Sequence, residues 1–231
     1  MSTRPIPSPS SLWQTHVERV LTVLCLALER LSEKRRLPQG EEALDRRLFL
    51  LARDAYFRLP VPKRPHSFDL VAKAEQAPLN ESDVDEGWVG KKPDFQWRMH
   101  NDLAARPEEL TMDFDIENKR LGRPTSRKWV LTEQYVANGI VRFLSAEHRY
   151  GNGVSSGAMV GYIQDSEPVA LLREVNGYIE TEGRYAIPQL RFPPSRLGTE
   201  AVVNTCQKMR RAMVQPHDFE LHHIWVDLRG A

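Results

Sequence analysis

The chain is 231 residues long, 41% hydrophobic, with a net charge of +1. That suits one large domain, or a core domain with an appendage, and supplies enough apolar residues for a packed interior. Near-neutral charge excludes a global field as the means of holding nucleic acid, so any such contact has to come from local patches.

The two cysteines, Cys25 and Cys206, lie far apart inside apolar segments. They read as buried thiols of a reducing compartment and not as a disulfide framework. The longest apolar run, residues 20–28, is interrupted by Thr22 and flanked by Glu18, Arg19, Glu29 and Arg30, too short to span a bilayer. The start of the chain has no basic, apolar and small-residue succession of a secretory leader. The expectation is a cytoplasmic protein with no membrane association.

Residues 1–10 are rich in Pro and Ser and read as a loose arm. Ser10 or Ser11 is then expected to cap a helix reaching about Arg36, since Trp13, Val17, Val20, Leu21, Leu24, Leu28 and Leu31 recur at helical spacing. Pro38-Gln39-Gly40 breaks it. A second helix is expected over 41–58, with Leu44, Leu48, Leu51, Ala52 and Ala55 on one face. Two uses fit this pair: closing one side of the core, or docking a protein partner or a second copy of the chain. The division is an N-terminal arm and helical pair over 1–62 and a core over 63–231.

A short strand is expected near 68–72, a solvated acidic turn at 80–86, and strands near 95–99 and 110–119. A helix follows over 129–147, with Gly139 as its weak point, then a Gly- and Ser-rich loop at 151–157 and an apolar strand at 158–163. Residues 167–179 read as a helix with Pro168 in its first turn. Residues 185–192 suggest a strand, 200–211 a strand or a helix, and 219–228 a strand.

The stretch 93–119 draws these elements together. In its second half Met112, Phe114 and Ile116 fall on one strand face, and Asp113, Asp115, Glu117 and Lys119 on the other. Carboxylates in such a row repel one another unless water, a cation or a basic partner neutralises them. Pro93-Asp94 followed by Glu117-Asn118-Lys119 resembles the PD-(D/E)xK nuclease superfamily, and the order helix, strand, strand, strand, helix, strand is that of its restriction-endonuclease-like α/β core. The resemblance implies a mixed central sheet flanked by helices, here with an N-terminal helical extension. It implies that Asp94 and Glu117 sit on adjacent strands and bind Mg²⁺, with Mn²⁺ as a substitute. The backbone carbonyl of Asn118 would complete the metal site, and Lys119 would assist the attacking water.

The implied reaction is metal-dependent phosphodiester hydrolysis, of DNA before RNA, in the manner of restriction or phage-defence effectors. The competing reading is a catalytically silent nuclease-fold module that binds nucleic acid or protein. Some superfamily members add a glutamate from the first core helix, for which Glu41, Glu42 and Glu75 are the candidates. Arg120, Arg123, Arg127 and Lys128, read as one loop, are the expected nucleic-acid-binding group. Lys208, Arg210 and Arg211 form a second basic group. Asp115 is expected to pair with a basic residue at the rim of the cleft. Gln134, Tyr135, Asn138 and Arg142 lie on the helix after the motif without matching a pattern. His222 and His223 point to opposite faces of their strand and read as structural.

Overall fold

The computed structural model describes residues 9–230, so most of the expected N-terminal arm lies outside the described residues. Helix α1 (Pro9–Ser32) and helix α2 (Glu41–Arg58) precede a sheet of β1 (Leu70–Ala72), β2 (Phe95–His100), β3 (Thr111–Leu121), β4 (Ser156–Ile163), β5 (Val202–Arg210) and β6 (Asp218–Asp227). Helix α3 (Leu131–Ala137) links β3 to β4, and α4 (Pro168–Glu182) follows β4. The sheet order is β1-β2-β3-β4-β6-β5. The hairpin β2–β3 and the pairs β1–β2 and β5–β6 are antiparallel, whereas β4 runs parallel to both β3 and β6. The protein is therefore an α/β fold on a six-stranded mixed sheet.

Strand alternation divides the core in two. Phe114, Ile116, Ala158, Val160 and Ile224 face α1 and α2, meeting Trp13, Val20, Leu24, Leu44 and Leu48. Leu121, Met159, Ile163, Leu221 and Trp225 face α3 and α4, meeting Tyr135, Val136, Leu171 and Val175. Every residue of β4 is buried, as a central strand covered on both faces requires. Fully burying each large apolar side chain contributes about 1.5–3 kcal/mol, so both layers matter to stability. The apolar stripe of α1 packs on α2 and the sheet, so the helical pair closes one side of the core.

Several expectations change. Helix α1 starts at Pro9, which leaves Ser10 and Ser11 inside its first turn; proline fits there because its missing N–H would be unpaired anyway. The helix expected over 129–147 is only the short α3, followed at Gly139 by a 3₁₀ turn, Ile140–Phe143. A Cβ at Gly139 would lie 2.3 Å from the Tyr135 carbonyl oxygen and 2.4 Å from Met159 Cε, so tight packing admits only glycine at the break. Residues 185–192 form no strand. Leu190 and Phe192 are buried, with the Phe192 ring 4.7 Å from that of Trp225, but the segment packs on the sheet face and pairs with no edge. Cys206 is exposed and Cys25 half-buried. Among the described residues no helix is long and apolar enough to cross a membrane.

Candidate active site

The β2–β3 register pairs Phe95 with Ile116, and continuing it by one residue brings Asp94 against Glu117. The Asp94 side chain turns back to β3, where Oδ2 accepts the Asn118 backbone N–H at 2.8 Å. Glu117 and Lys119 project from one face of β3, and Lys119 Nζ donates to Glu117 Oε1 at 2.5 Å and to the Asn118 carbonyl at 2.8 Å. The same ammonium lies 3.6 Å from Glu41 Oε1 and 3.9 Å from Asp94 Oδ2. Asp94, Glu117 and Lys119 are thus brought together, with Asn118 between them.

Glu41 is the candidate helix glutamate that reaches the cluster. It lies in the first turn of α2, and its Oε2 accepts the Arg120 backbone N–H at 3.2 Å. Glu42 pairs instead with Lys73, and Glu75 with Lys92. One turn beyond Glu41, the buried Asp45 ties α2 to the sheet. Its Oδ1 accepts from Asn118 Nδ2 at 2.8 Å and from the Tyr162 hydroxyl at 3.0 Å. Burial, with Asp94 nearby, raises its carboxyl to about 7 despite those donors.

Arg142 completes the cluster from the 3₁₀ turn after Gly139. Its Nη1 donates to Glu117 Oε1 at 2.6 Å. Glu117 is fully buried, and burial pushes its carboxyl up to about 7; Lys119 and Arg142 pull the other way, while Asp94 adds to the rise. Burial works to lower the Lys119 pKa, but Glu117, Glu41 and Asp94 outweigh it and hold the amine charged. Glu117 Oε2 is buried and takes no hydrogen bond, as is the case for Asn118 Oδ1.

These donors fit a hard divalent cation: carboxylate and carbonyl oxygens, with one buried carboxylate oxygen still without a partner. The Lys119 ammonium stands among the three acids, Glu41, Asp94 and Glu117. Their oxygens do not all converge within 4.8 Å; among the described residues the set that does so is Cys206, Glu220 and His222, on the α1 side of the sheet.

The remaining acids of the row have structural partners. Asp113 forms a two-pronged pair with Arg98, at 2.8 and 3.0 Å. Asp115 does not pair with a base at the cleft rim. It is buried and accepts from Gln76 Nε2 at 2.5 Å, Gln96 Nε2 at 3.0 Å and the Gly151 backbone N–H at 2.7 Å. Gly151 has φ +69°, and a Cβ there would lie 2.7 Å from the Phe219 ring.

The basic group is split. Arg120 belongs to β3, and its guanidinium donates to the Gln39 carbonyl at 3.0 Å. Arg123, Arg127 and Lys128 are exposed on the loop that follows. Arg211 is not available to a ligand: it is 1% exposed, stacked on Phe219, and donates to the carbonyls of Phe143, Tyr150, Gly151, Val154 and Pro216. Tyr135 and His223 are buried together away from the cleft, 2.7 Å apart through the Tyr135 hydroxyl and His223 Nδ1.

Sequence reasoning left Arg142, Asp45 and Trp129 without roles. An acid beside Leu44 and Leu48 on α2 was the available signal for Asp45; for Arg142 it was Gly139, the weak point of the expected helix, after which the 3₁₀ turn begins. No family model, curated protein or solved structure matches the chain.

Proposed function

We propose that the protein is a divalent-metal-dependent nuclease with a restriction-endonuclease-like core. The observation that carries this reading is the single cluster in which Lys119 Nζ lies 2.5 Å from Glu117 Oε1 and 3.9 Å from Asp94 Oδ2. The antiparallel β2–β3 hairpin, the parallel β4 and the glutamate offered by α2 support the finer fold assignment. Asp94, Glu117 and the Asn118 carbonyl would hold Mg²⁺ or Mn²⁺. Such an ion neutralises phosphate oxygens and makes bound water acidic enough to attack at neutral pH.

This chain's own residues do the rest. Asp94 is fixed by the Asn118 N–H and Glu117 by two cations, so little reorganisation is needed when substrate charge arrives. Lys119 holds a water or the charge developing on phosphate. Arg142 and the exposed Arg123, Arg127 and Lys128 engage backbone phosphates.

One observation favours a second reading, a catalytically silent nucleic-acid-binding module: Lys119 and Arg142 already neutralise Glu117 without a metal. Incubating the protein with plasmid, linear and single-stranded DNA and with RNA, in Mg²⁺, Mn²⁺ or EDTA, separates the two. Metal-dependent cleavage of DNA that disappears in Asp94→Ala and Lys119→Ala is the expected result. Folded wild-type protein that cuts no substrate in either metal would favour the silent module.

A further inference from the structure

Trp129 is held in an exposed position beside the cluster. Of the five tryptophans, Trp13, Trp88, Trp97 and Trp225 are 4% exposed or less, whereas Trp129 is 50% exposed. It was expected to begin a helix. Instead a closed turn presents it: Trp129 N–H donates to the Ser126 carbonyl, and the Thr125 N–H donates to the Trp129 carbonyl, both at 3.1 Å. Trp129 lines a cavity of about 410 Å³ whose other walls include the carboxylate of Glu41, the cations Lys119, Arg120 and Arg142, and the amides Gln134 and Asn138. That volume lies within the roughly 300–1,000 Å³ of small-ligand sites.

The chemistry of these walls suits one ligand class. An indole face stacks on any base, and Arg142 and Lys119 are cations at the end of the cavity that meets the carboxylates. Gln134 and Asn138 bond to each other at 2.5 Å through Asn138 Nδ2 and Gln134 Oε1, which leaves an amide donor on Gln134 and an acceptor on Asn138 for a base edge. Arg123, Arg127 and Lys128 precede Trp129 on the same exposed loop, giving the basic track with an interposed aromatic that single-stranded nucleic acid requires. A base inside a duplex hides both of its faces in the stack and offers none to an indole.

We propose that this cavity binds an unpaired nucleotide of a nucleic-acid strand, its base stacked on Trp129 and its phosphate directed to Arg142 and Lys119. The inference deepens the nuclease reading, on which it rests for the adjoining chemistry, by making single-stranded or frayed strands the preferred substrate. Thymidine and uridine oligomers share the ligand chemistry, and comparing them names the sugar.

The test is intrinsic fluorescence, because Trp129 alone among the tryptophans is open to a stacking base. Wild type, Trp129→Ala and Trp129→Phe are titrated in EDTA with a thymidine oligomer, a uridine oligomer and a blunt duplex, with fluorescence anisotropy of labelled strands as the second readout. Expected are quenching of wild type, tighter binding of single strands than of duplex, and binding weakened roughly 5- to 100-fold in Trp129→Ala but largely kept in Trp129→Phe. Equal affinity of wild type and Trp129→Ala, or binding of no oligomer by wild type, would overturn the proposal. Metal-dependent cleavage is scored separately. Stacking without cleavage removes the nuclease reading and leaves the nucleotide site, whereas cleavage with no effect of Trp129→Ala on affinity does the reverse.

Discussion

Lys119 and Glu117 stand two positions apart on β3, and their charged groups meet at 2.5 Å where Glu117 has no solvent exposure. The ammonium stands among Glu41, Asp94 and Glu117, and Arg142 supplies a second counter-charge to Glu117. Breaking a buried ion pair from one side costs on the order of 3–5 kcal/mol where the remaining charge is left uncompensated; Arg142 still meets Glu117 here, which puts the loss at the low end. Lys119→Met is therefore expected to lower stability by about 3 kcal/mol in EDTA. Mn²⁺ should recover part of that loss by replacing the missing positive charge. Thermal denaturation of wild type and variant, each with EDTA and with Mn²⁺, measures both effects.

Arg142 shares Glu117 Oε1 with Lys119, so it competes with any cation drawn to that oxygen. Arg142→Gln is expected to bind Mn²⁺ more tightly than wild type while cleaving nucleic acid about 100-fold more slowly, the cost of one lost donor to transition-state charge. Calorimetric titration gives the affinity and single-turnover kinetics the rate. An arginine that only buttressed Glu117 would produce the opposite change in affinity.

Asp115 joins the two strands of the hairpin through Gln96 and fastens them to two loops through Gln76 and the Gly151 N–H. Removing the acceptor leaves those buried donors without partners, at roughly 1–3 kcal/mol each where no water replaces it. Asp115→Ala should lose about 3 kcal/mol in urea denaturation, within what such orphaned donors cost. The Gly151 amide should exchange with solvent faster.

His223 is part of a hydrogen-bond chain with a determined direction. Gln207 Nε2 donates to the Pro188 carbonyl, so its Oε1 accepts from His223 Nε2–H at 3.1 Å; Nδ1 of the neutral ring then accepts from the Tyr135 hydroxyl, which in turn accepts from Trp225 Nε1–H at 3.0 Å. Burial, aided by neighbouring His222, pushes the His223 pKa down to about 3 from 6.5. Between those values the unfolded chain binds a proton that the native state does not, so stability falls as pH drops below 6.5 and is level above it. At pH 5 the loss from this residue is about 2 kcal/mol. The stability gap between wild type and His223→Gln should narrow by that amount from pH 7.5 to pH 5, other groups cancelling in the difference. Denaturant titrations at both pH values measure it.

The β2–β3 hairpin was legible because its alternation is local: Phe114 and Ile116 mark one face and Glu117 and Lys119 the other. The burial of the acid row was not, since alternation shows that two faces differ but not which is covered. That depends on the 3₁₀ turn that brings Arg142 inward and on the Gly151 loop. The break falls at Gly139, where a Cβ would meet both the Tyr135 carbonyl, local in sequence, and Met159, which is not. Arg211 read as a surface cation because nothing adjacent to it in sequence announces the carbonyls it binds. Glu41 could not be separated from Glu42 and Glu75 before the orientation of α2 was known; the anchoring of Asp45 to Asn118 and Tyr162 fixes that orientation.

The central claim is that Asp94 and Glu117 hold a divalent cation beside Lys119. Mn²⁺ binding followed by electron paramagnetic resonance and calorimetry in wild type, Asp94→Asn and Glu117→Gln tests it most directly, independently of any substrate. Saturable binding by wild type, weakened at least about tenfold in each variant (about 1.4 kcal/mol) while the fold persists by circular dichroism, is the expected result. No saturable binding by wild type, or equal affinity in all the proteins, would contradict it.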